Sequence, residues 1–305
     1  MPAVRSLDAS LHLTLEAATD TASTSRRELF ESKRVAPSIL SADFSQLGSQ
    51  VAEVMAAGAR LIHVDVMDGH FVPPITIGPL VANSIADQVH DAGGAIDVHL
   101  MIERPEDHIE EFAKAGADCI SFHAEATPHI NRTLNAIRDL GCLAGLAINP
   151  GTPVGAVGES TDDADVFLCM TVNPGWGGQP FIADSPDKLR RLAEVVGAGT
   201  IEADGGIDPD TAGTVAAAGA GLFVVGSAVF GAGDPAAAYT AIAEAAGACY
   251  LSRRRGAAEG AFSTPATSCH HASAAGPCAR ATRRAAQSAT ARRGPIATSE
   301  SPVQP

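Results

Sequence analysis

Residues 62–71, Ile-His-Val-Asp-Val-Met-Asp-Gly-His-Phe, decide how the chain is read. Val64 and Val66 alternate with His63, Asp65 and Met67. Side chains along a strand point to opposite faces in turn, so this period of two predicts a strand with His63, Asp65 and Met67 on one face. Asp97-Val-His-Leu-Met101 repeats the pattern, with His99 and Met101 on a shared face. Ile201-Glu-Ala-Asp-Gly-Gly206 puts Asp204 at a strand end ahead of two glycines. Two imidazoles and two carboxylates at the ends of three apolar strands predict a divalent-metal site that also performs acid–base chemistry.

Outward from these three pieces the alternation is regular. Apolar strand-like runs sit at 35–40, 60–66, 95–101, 118–123, 143–148, 165–171, 199–204 and 221–226. Helical patterns lie between most of them, at 44–57, 79–91, 105–115, 128–140, 186–196, 208–218 and 235–247. The link near 153–162 is weaker and holds at most a short helix. Eight strands, each followed by a helix, predict an α/β fold of the (β/α)8 TIM barrel type over residues 35–250. An open doubly wound sheet is the runner-up, and the absence of a GxGxxG after the first strand counts against it. In a barrel the active site lies at the C-terminal strand ends, where His63, Asp65, His99 and Asp204 fall.

Two extensions flank the barrel. Residues 1–34 read as a mostly irregular N-terminal extension, with one short helix around Leu11–Ala18. Residues 251–305 read as a disordered, basic, low-complexity tail without apolar periodicity. Either a natural basic tail or out-of-frame reading of GC-rich DNA accounts for that composition, and a start nearer Lys33 would cost nothing visible. The 305-residue chain has a net charge of −14. Its tail carries eight Arg, no Lys and two Glu, a charge of +6, so the remainder carries −20. An acidic domain of this kind argues against general nucleic-acid binding. The uncharged stretch 211–233 contains six glycines and an alternating Leu-Phe-Val-Val, which predicts a helix, a turn and a buried strand rather than a membrane span. Six cysteines without CxxC pairing, and no secretory h-region, point to a reducing, cytoplasmic setting.

A lone histidine on a strand is more often a satisfied core residue than a ligand. Here four candidates arise on strands 2, 3 and 7 at one rim, and that coincidence favours one divalent ion held by His63, Asp65, His99 and Asp204. The donor set suits Zn²⁺, Fe²⁺, Mn²⁺ or Co²⁺ without choosing among them. Glycine clusters follow the last three strands: Asn173-Pro-Gly-Trp-Gly-Gly-Gln179, Gly205-Gly206 and Gly226-Ser227. Glycine lets backbone N–H groups approach an anion, and the loops after strands 7 and 8 are the usual barrel phosphate site. Turns need glycine anyway, but several at one rim predict a sugar-phosphate ligand. Few Lys or Arg lie near these loops, so binding would rest on backbone dipoles. Met67, Met101 and Met170 lie at strand ends and are read either as packing or as a soft, apolar wall that keeps water from a charged intermediate. Ser38 on strand 1 is better read as a hydrogen-bond donor to substrate than as a nucleophile.

These residues together resemble a known family. Ala36-Pro-Ser-Ile-Leu-Ser-Ala-Asp-Phe44, His63-Val-Asp-Val-Met-Asp-Gly-His-Phe-Val-Pro73, Asp97–Met101, Val172–Gln179 and Glu202–Gly206 are similar to the motifs of ribulose-phosphate 3-epimerase. The likeness runs from about Val35 to Ala246. It implies interconversion of D-ribulose 5-phosphate and D-xylulose 5-phosphate in the pentose phosphate pathway. Carried over, His63, Asp65, His99 and Asp204 match the metal ligands, and Asp65 and Asp204 match the catalytic proton-transfer pair. Ser38, His99, Gly175, Trp176, Gly177, Gly178, Gly205, Gly206, Gly226 and Ser227 match substrate or phosphate contacts; Met67, Met101 and Met170 match the active-site wall. The family's habit of oligomerising implies a homo-oligomer. Trp176 stands where phenylalanine is usual, and Pro74 where asparagine commonly follows Val-Pro.

Epimerisation beside a carbonyl removes a proton from one face of a carbon and returns one to the other. A cation stabilises the developing enediolate while two carboxylates move the protons. An allulose 6-phosphate 3-epimerase would share every catalytic residue, and a barrel that binds metal and phosphate without turnover is the non-enzyme alternative. A barrel decarboxylase would pair Asp with Lys near the strand ends, whereas Lys114 and Lys188 fall on helices.

Overall fold

The computed structural model describes residues 26–249. Its eight strands are β1 (Arg34–Pro37), β2 (Leu61–Met67), β3 (Ala95–Met101), β4 (Cys119–His123), β5 (Leu143–Ile148), β6 (Val166–Met170), β7 (Thr200–Asp204) and β8 (Leu222–Val225). They pair in the order β1-β8-β7-β6-β5-β4-β3-β2, all parallel. A parallel bridge between Ser38 and His63 joins β1 to β2 and closes the ring. The chain is a (β/α)8 barrel, as the alternating pattern predicts. The expected helix near Leu11–Ala18 and the expected disorder of 251–305 lie outside the described residues.

The helices are α1 (residues 26–31), α2 (Leu47–Ala57), α3 (Pro79–Asp91), α4 (Ile109–Lys114), α5 (Ile130–Asp139), α6 (Ser185–Val196), α7 (Ala212–Ala217), α8 (Ser227–Phe230) and α9 (Pro235–Ala246). The weak link before β6 is a 3-10 segment, Val154–Ser160. The uncharged stretch 211–233 resolves into α7, β8 and α8, and no helix among the described residues is long and apolar enough to cross a membrane. Local signals set the helix ends. In α9 the Asp234 side chain accepts from the Ala237 N–H, Pro235 opens the helix, and Gly247 stops it in the left-handed region.

Strand parity divides the two sides of the barrel wall. Ile62, Val64 and Val66 join the layer between strands and helices, where they meet apolar stripes such as Val51, Val54 and Met55 of α2. The alternate residues line the barrel interior. At its N-terminal foot Leu61, Ala95, Cys119, Leu143, Val166 and Leu222 form an apolar layer capped by Phe30, which is 1% exposed. Phe30 belongs to α1, a stretch that sequence pattern reads as irregular. The short helix is held by tertiary contacts: Phe30 fills the barrel's end, contributing about 2–3 kcal/mol, while Arg26 pairs with Asp118 at 2.8 Å and Arg27 bonds Asp165. Two residues further along the strands the interior turns polar, with His63, Asp97, Ser121 and Glu202 all fully buried. Gly145 belongs to this tier because a Cβ there would lie 1.9 Å from Ser121 Oγ.

Candidate active site

The mouth-side tier gathers the four predicted ligands. His63 and Asp65 lie two apart on β2, His99 on β3 and Asp204 at the end of β7. His63 Nε2 is 3.3 Å from Asp65 Oδ1, His99 Nδ1 is 3.1 Å from the same oxygen, and His99 Nδ1 is 3.5 Å from Asp204 Oδ2. One donor atom from each of the four lies within 4.8 Å of the others. Both imidazoles are fully buried, and the two carboxylates are nearly so.

The hydrogen bonds of this cluster leave room for a cation. His63 Nδ1 lies 2.6 Å from Asp97 Oδ2, so it carries the proton and donates it. On the neutral ring His63 Nε2 is then a lone pair, buried and without a hydrogen-bond partner, facing Asp65. A stranded nitrogen among carboxylates fits a metal ion well. The electrostatics agree. Burial opposes charge on either ring, yet Asp65 and Asp97 raise His63 well above the usual histidine range, and hydrogen bonds to Asp204 and Asp65 raise His99. The cluster therefore draws positive charge to its centre.

The two carboxylates differ. Against the desolvation of burial, the charge and hydrogen bonds of His63 and His99 hold Asp65 far below the ordinary carboxylate range. Asp204 is pushed upward, by burial and then by the charge of Asp65. Beneath them, burial and the charge of Asp97 push Glu202 well above the usual range. His63, Asp97 and Glu202 make a second compact group under the first.

Above the four residues opens a cavity of about 490 Å³. Ser38, Asp65, Asp204, all three methionines, Gly175–Gly178, Gly205, Gly206, Gly226 and Ser227 line it. His63 and His99 lie below its surface. The Ser38 hydroxyl, read from sequence as a donor to substrate, donates instead to Asp65 Oδ2 at 2.6 Å, because the Ser38–His63 bridge sets β1 against β2. His99 was matched to substrate as well as metal. Its Nδ1 faces the carboxylates and its Nε2 faces His123 Nε2 at 2.9 Å, so neither nitrogen opens to the cavity. Met67 and Met101 cluster with Val72, while Met170 packs with Ala147, Leu168 and Val172, so the methionines form two apolar patches rather than one.

The glycines shape the rim. Gly205 and Gly206 adopt positive φ, and a Cβ on Gly206 would lie 2.6 Å from Phe181 N. The loop after β6 is stapled by Gln179 Nε2, which donates to the Asn173 and Trp176 carbonyls at 2.6 and 2.8 Å. Trp176 is 59% exposed at its tip. Among the described residues the cavity lining contains no Lys or Arg. The Lys188 ammonium reaches from α6 to the Asn149 and Pro150 carbonyls beyond β5 instead.

Sequence reading passed over Asp97, His123, Glu125 and Glu202. Strand parity held the signal for three of them: Asp97 and Glu202 share the ligand face of β3 and β7, and His123 ends the inward-facing series Cys119, Ser121, His123 on β4. Burial pushes His123 down to about 4. Although burial works against it, hydrogen bonds from His123, Thr152 and the Asn149 N–H hold Glu125 at about 2.

A closed barrel that sets paired imidazoles and paired carboxylates at the floor of one polar cavity has the build of an enzyme. Comparison with known proteins narrows the class. The model of the Ribulose-phosphate 3 epimerase family matches residues 34–230. Ribulose-phosphate 3-epimerase 1 of Cupriavidus necator is 51% identical over 217 residues, covering 68% of this chain and 89% of the relative. Ribulose-phosphate 3-epimerase of Bacillus subtilis is 52% identical over 206 residues, covering 66% and 94%. Among solved structures, KGPDC from Streptococcus mutans in complex with D-R5P superposes with TM-score 0.58 at 14% identity, covering 70% of this chain and 97% of that one. 3-Hexulose-6-phosphate synthase from Salmonella typhimurium gives 0.54 at 16%, covering 70% and 98%. Those two likenesses concern the fold alone. The chain belongs to the ribulose-phosphate 3-epimerase family, and it is an isomerase.

Proposed function

We propose that this chain interconverts D-ribulose 5-phosphate and D-xylulose 5-phosphate by two-base proton transfer at carbon 3. The observation that carries the reading is the meeting of Asp65 and Asp204, from β2 and β7, around one His99 nitrogen at the cavity floor. His63, Asp65, His99 and Asp204 would hold a divalent ion, which supplies Lewis-acid stabilisation of negative charge on the oxygens beside the reacting carbon. Asp65 takes the proton from one face; Ser38 donates to its Oδ2 and keeps that carboxylate oriented. Asp204 delivers a proton to the opposite face, and the two exchange roles in the reverse direction. The enediolate between the two transfers sits against Met67, Met101 and Met170, which exclude water and have no proton to give. Backbone N–H groups of the Gly177–Gly178, Gly205–Gly206 and Gly226–Ser227 loops take the phosphate. A reducing, cytoplasmic setting suits the three buried thiols Cys119, Cys142 and Cys169, and self-association belongs to the same reading.

A coupled assay on ribulose 5-phosphate and on allulose 6-phosphate, with and without chelator, tests it. Turnover of the pentulose phosphate that chelation abolishes and one added metal restores is the expected result. Preference for the hexulose phosphate would change the substrate; full activity after exhaustive chelation would remove the metal; no turnover of either would leave a binding scaffold.

A further inference from the structure

We infer that His123 and Glu125 are positioning residues that fix which nitrogen of His99 faces the cation. The inference rests on the cation reading above. His99 and His123 meet through their Nε2 atoms at 2.9 Å, both rings fully buried. One proton is shared between two such nitrogens, so one ring donates and the other accepts. Glu125 decides which. Its Oε2 lies 3.2 Å from His123 Nδ1, and a carboxylate there takes an N–H. Its Oε1 is already filled by the Asn149 N–H at 2.9 Å and by the Thr152 hydroxyl, which leaves the carboxyl no freedom to turn away.

With its proton on Nδ1, a neutral His123 has a bare Nε2. It accepts the Nε2–H of His99, so Nδ1 is the nitrogen at which His99 exchanges a proton for the cation and offers a lone pair beside Asp65 and Asp204. The opposite arrangement would put an N–H where a ligand must stand. Ring contacts limit any swing out of this line: Phe71 lies on His123 at 4.8 Å, and His123 lies nearly parallel to His99 at 5.0 Å. The two histidines thus present opposite nitrogens. His63 offers Nε2 because Asp97 holds its Nδ1–H, and His99 offers Nδ1 because the Glu125–His123 pair holds its Nε2–H. Partners of this kind typically change metal affinity about 10–100-fold when removed.

The test uses the full chain, stripped of metal, with ¹⁵N-labelled histidine, as wild type and as Glu125→Gln, His123→Phe and His123→Gln. Nitrogen shifts of the apo protein, followed upward in pH until the His99 ring is neutral, report which nitrogen keeps the proton without any metal. Titration with Co²⁺ reports affinity and the ligand-field spectrum. His99 protonated at Nε2 in the wild type, shifted toward Nδ1 in Glu125→Gln, supports the inference. So does Co²⁺ binding weakened about 10–100-fold in Glu125→Gln and His123→Phe while each variant still unfolds in one cooperative melt. His123→Gln, whose amide oxygen can still accept from His99, recovers most of the affinity. Unaltered His99 shifts together with unaltered Co²⁺ affinity in Glu125→Gln and His123→Phe overturn it. A wild type that fails to bind Co²⁺ would count against the cation reading alone, and the apo shifts would then decide for or against the pair.

Discussion

The foot and the mouth of this barrel are built on the same strands and have opposite chemistry. Leu61 on β2 and Ala95 on β3 sit in an apolar layer under Phe30; two residues later the same inward face carries His63 and Asp97, and two later again Asp65 and His99. Nothing in the backbone distinguishes the layers, since the pairing register runs unbroken from Leu61↔Ala95 to Met67↔Met101. One end of the barrel interior supplies burial that stabilises the fold. The other holds charges whose burial costs free energy and is offset only by partners placed around them. Substitutions in the two layers should therefore report on different quantities.

The sharpest break between them is Asp204→Asn. It should lower kcat by about 10³-fold or more while leaving the melting temperature near that of the wild type; steady-state rates beside a thermal melt check both. Leu61→Ala at the foot should do the reverse. Its truncation should cost about 2–5 kcal/mol of stability, measured by urea unfolding, with kcat/KM unchanged. A large kinetic defect there would mean that the two layers are coupled.

Acid sharpens the contrast further. The folded pKa of Glu125 is about 2, against 4.5 for an ordinary glutamate. Protonation between those values thus favours the unfolded chain. The stability that this group contributes is complete above about 4.5 and is lost as pH falls toward 2. Its side chain is 26% exposed, so solvent screening leaves the contribution on the order of 2 kcal/mol. Glu125→Gln should flatten the stability–pH curve in that window by this amount, read from melts at stepped pH. The smallest effect belongs to Trp176→Phe. That side chain is exposed and its loop is held through Gln179 by backbone carbonyls, so kcat should change less than about 3-fold, within the ~0.5 kcal/mol of a surface change.

Most of the barrel was legible because it depends on periodicity. The alternation around Val64 and Val66 marks both the strand and the side of the wall on which His63, Asp65 and Met67 stand. The same parity carried Met101 and His99 to the interior. Charged partners were harder to see. Asp97 stood inside a recognised motif, yet one residue type at one parity position does not show that it holds the Nδ1–H of His63. His123 drew no reading of its own, since its value depends on the ring of His99 in the neighbouring strand. The helix at 26–31 has no amphipathic pattern long enough to notice; it exists because Phe30 meets the open end of a ring whose other members lie up to almost two hundred residues away. Ser38 was placed at the right rim, but its partner follows from the β1–β2 closure, which sequence does not print.

The bare lining of the cavity has a consequence for how a ligand arrives. Among the described residues a phosphate dianion would find no Lys or Arg there, and it would approach a chain of net charge −14. Encounter is then slowed by like-charge repulsion, and added salt shortens the reach of that repulsion. Association with a sugar phosphate should speed up as ionic strength rises, the reverse of what an arginine-lined phosphate pocket would display.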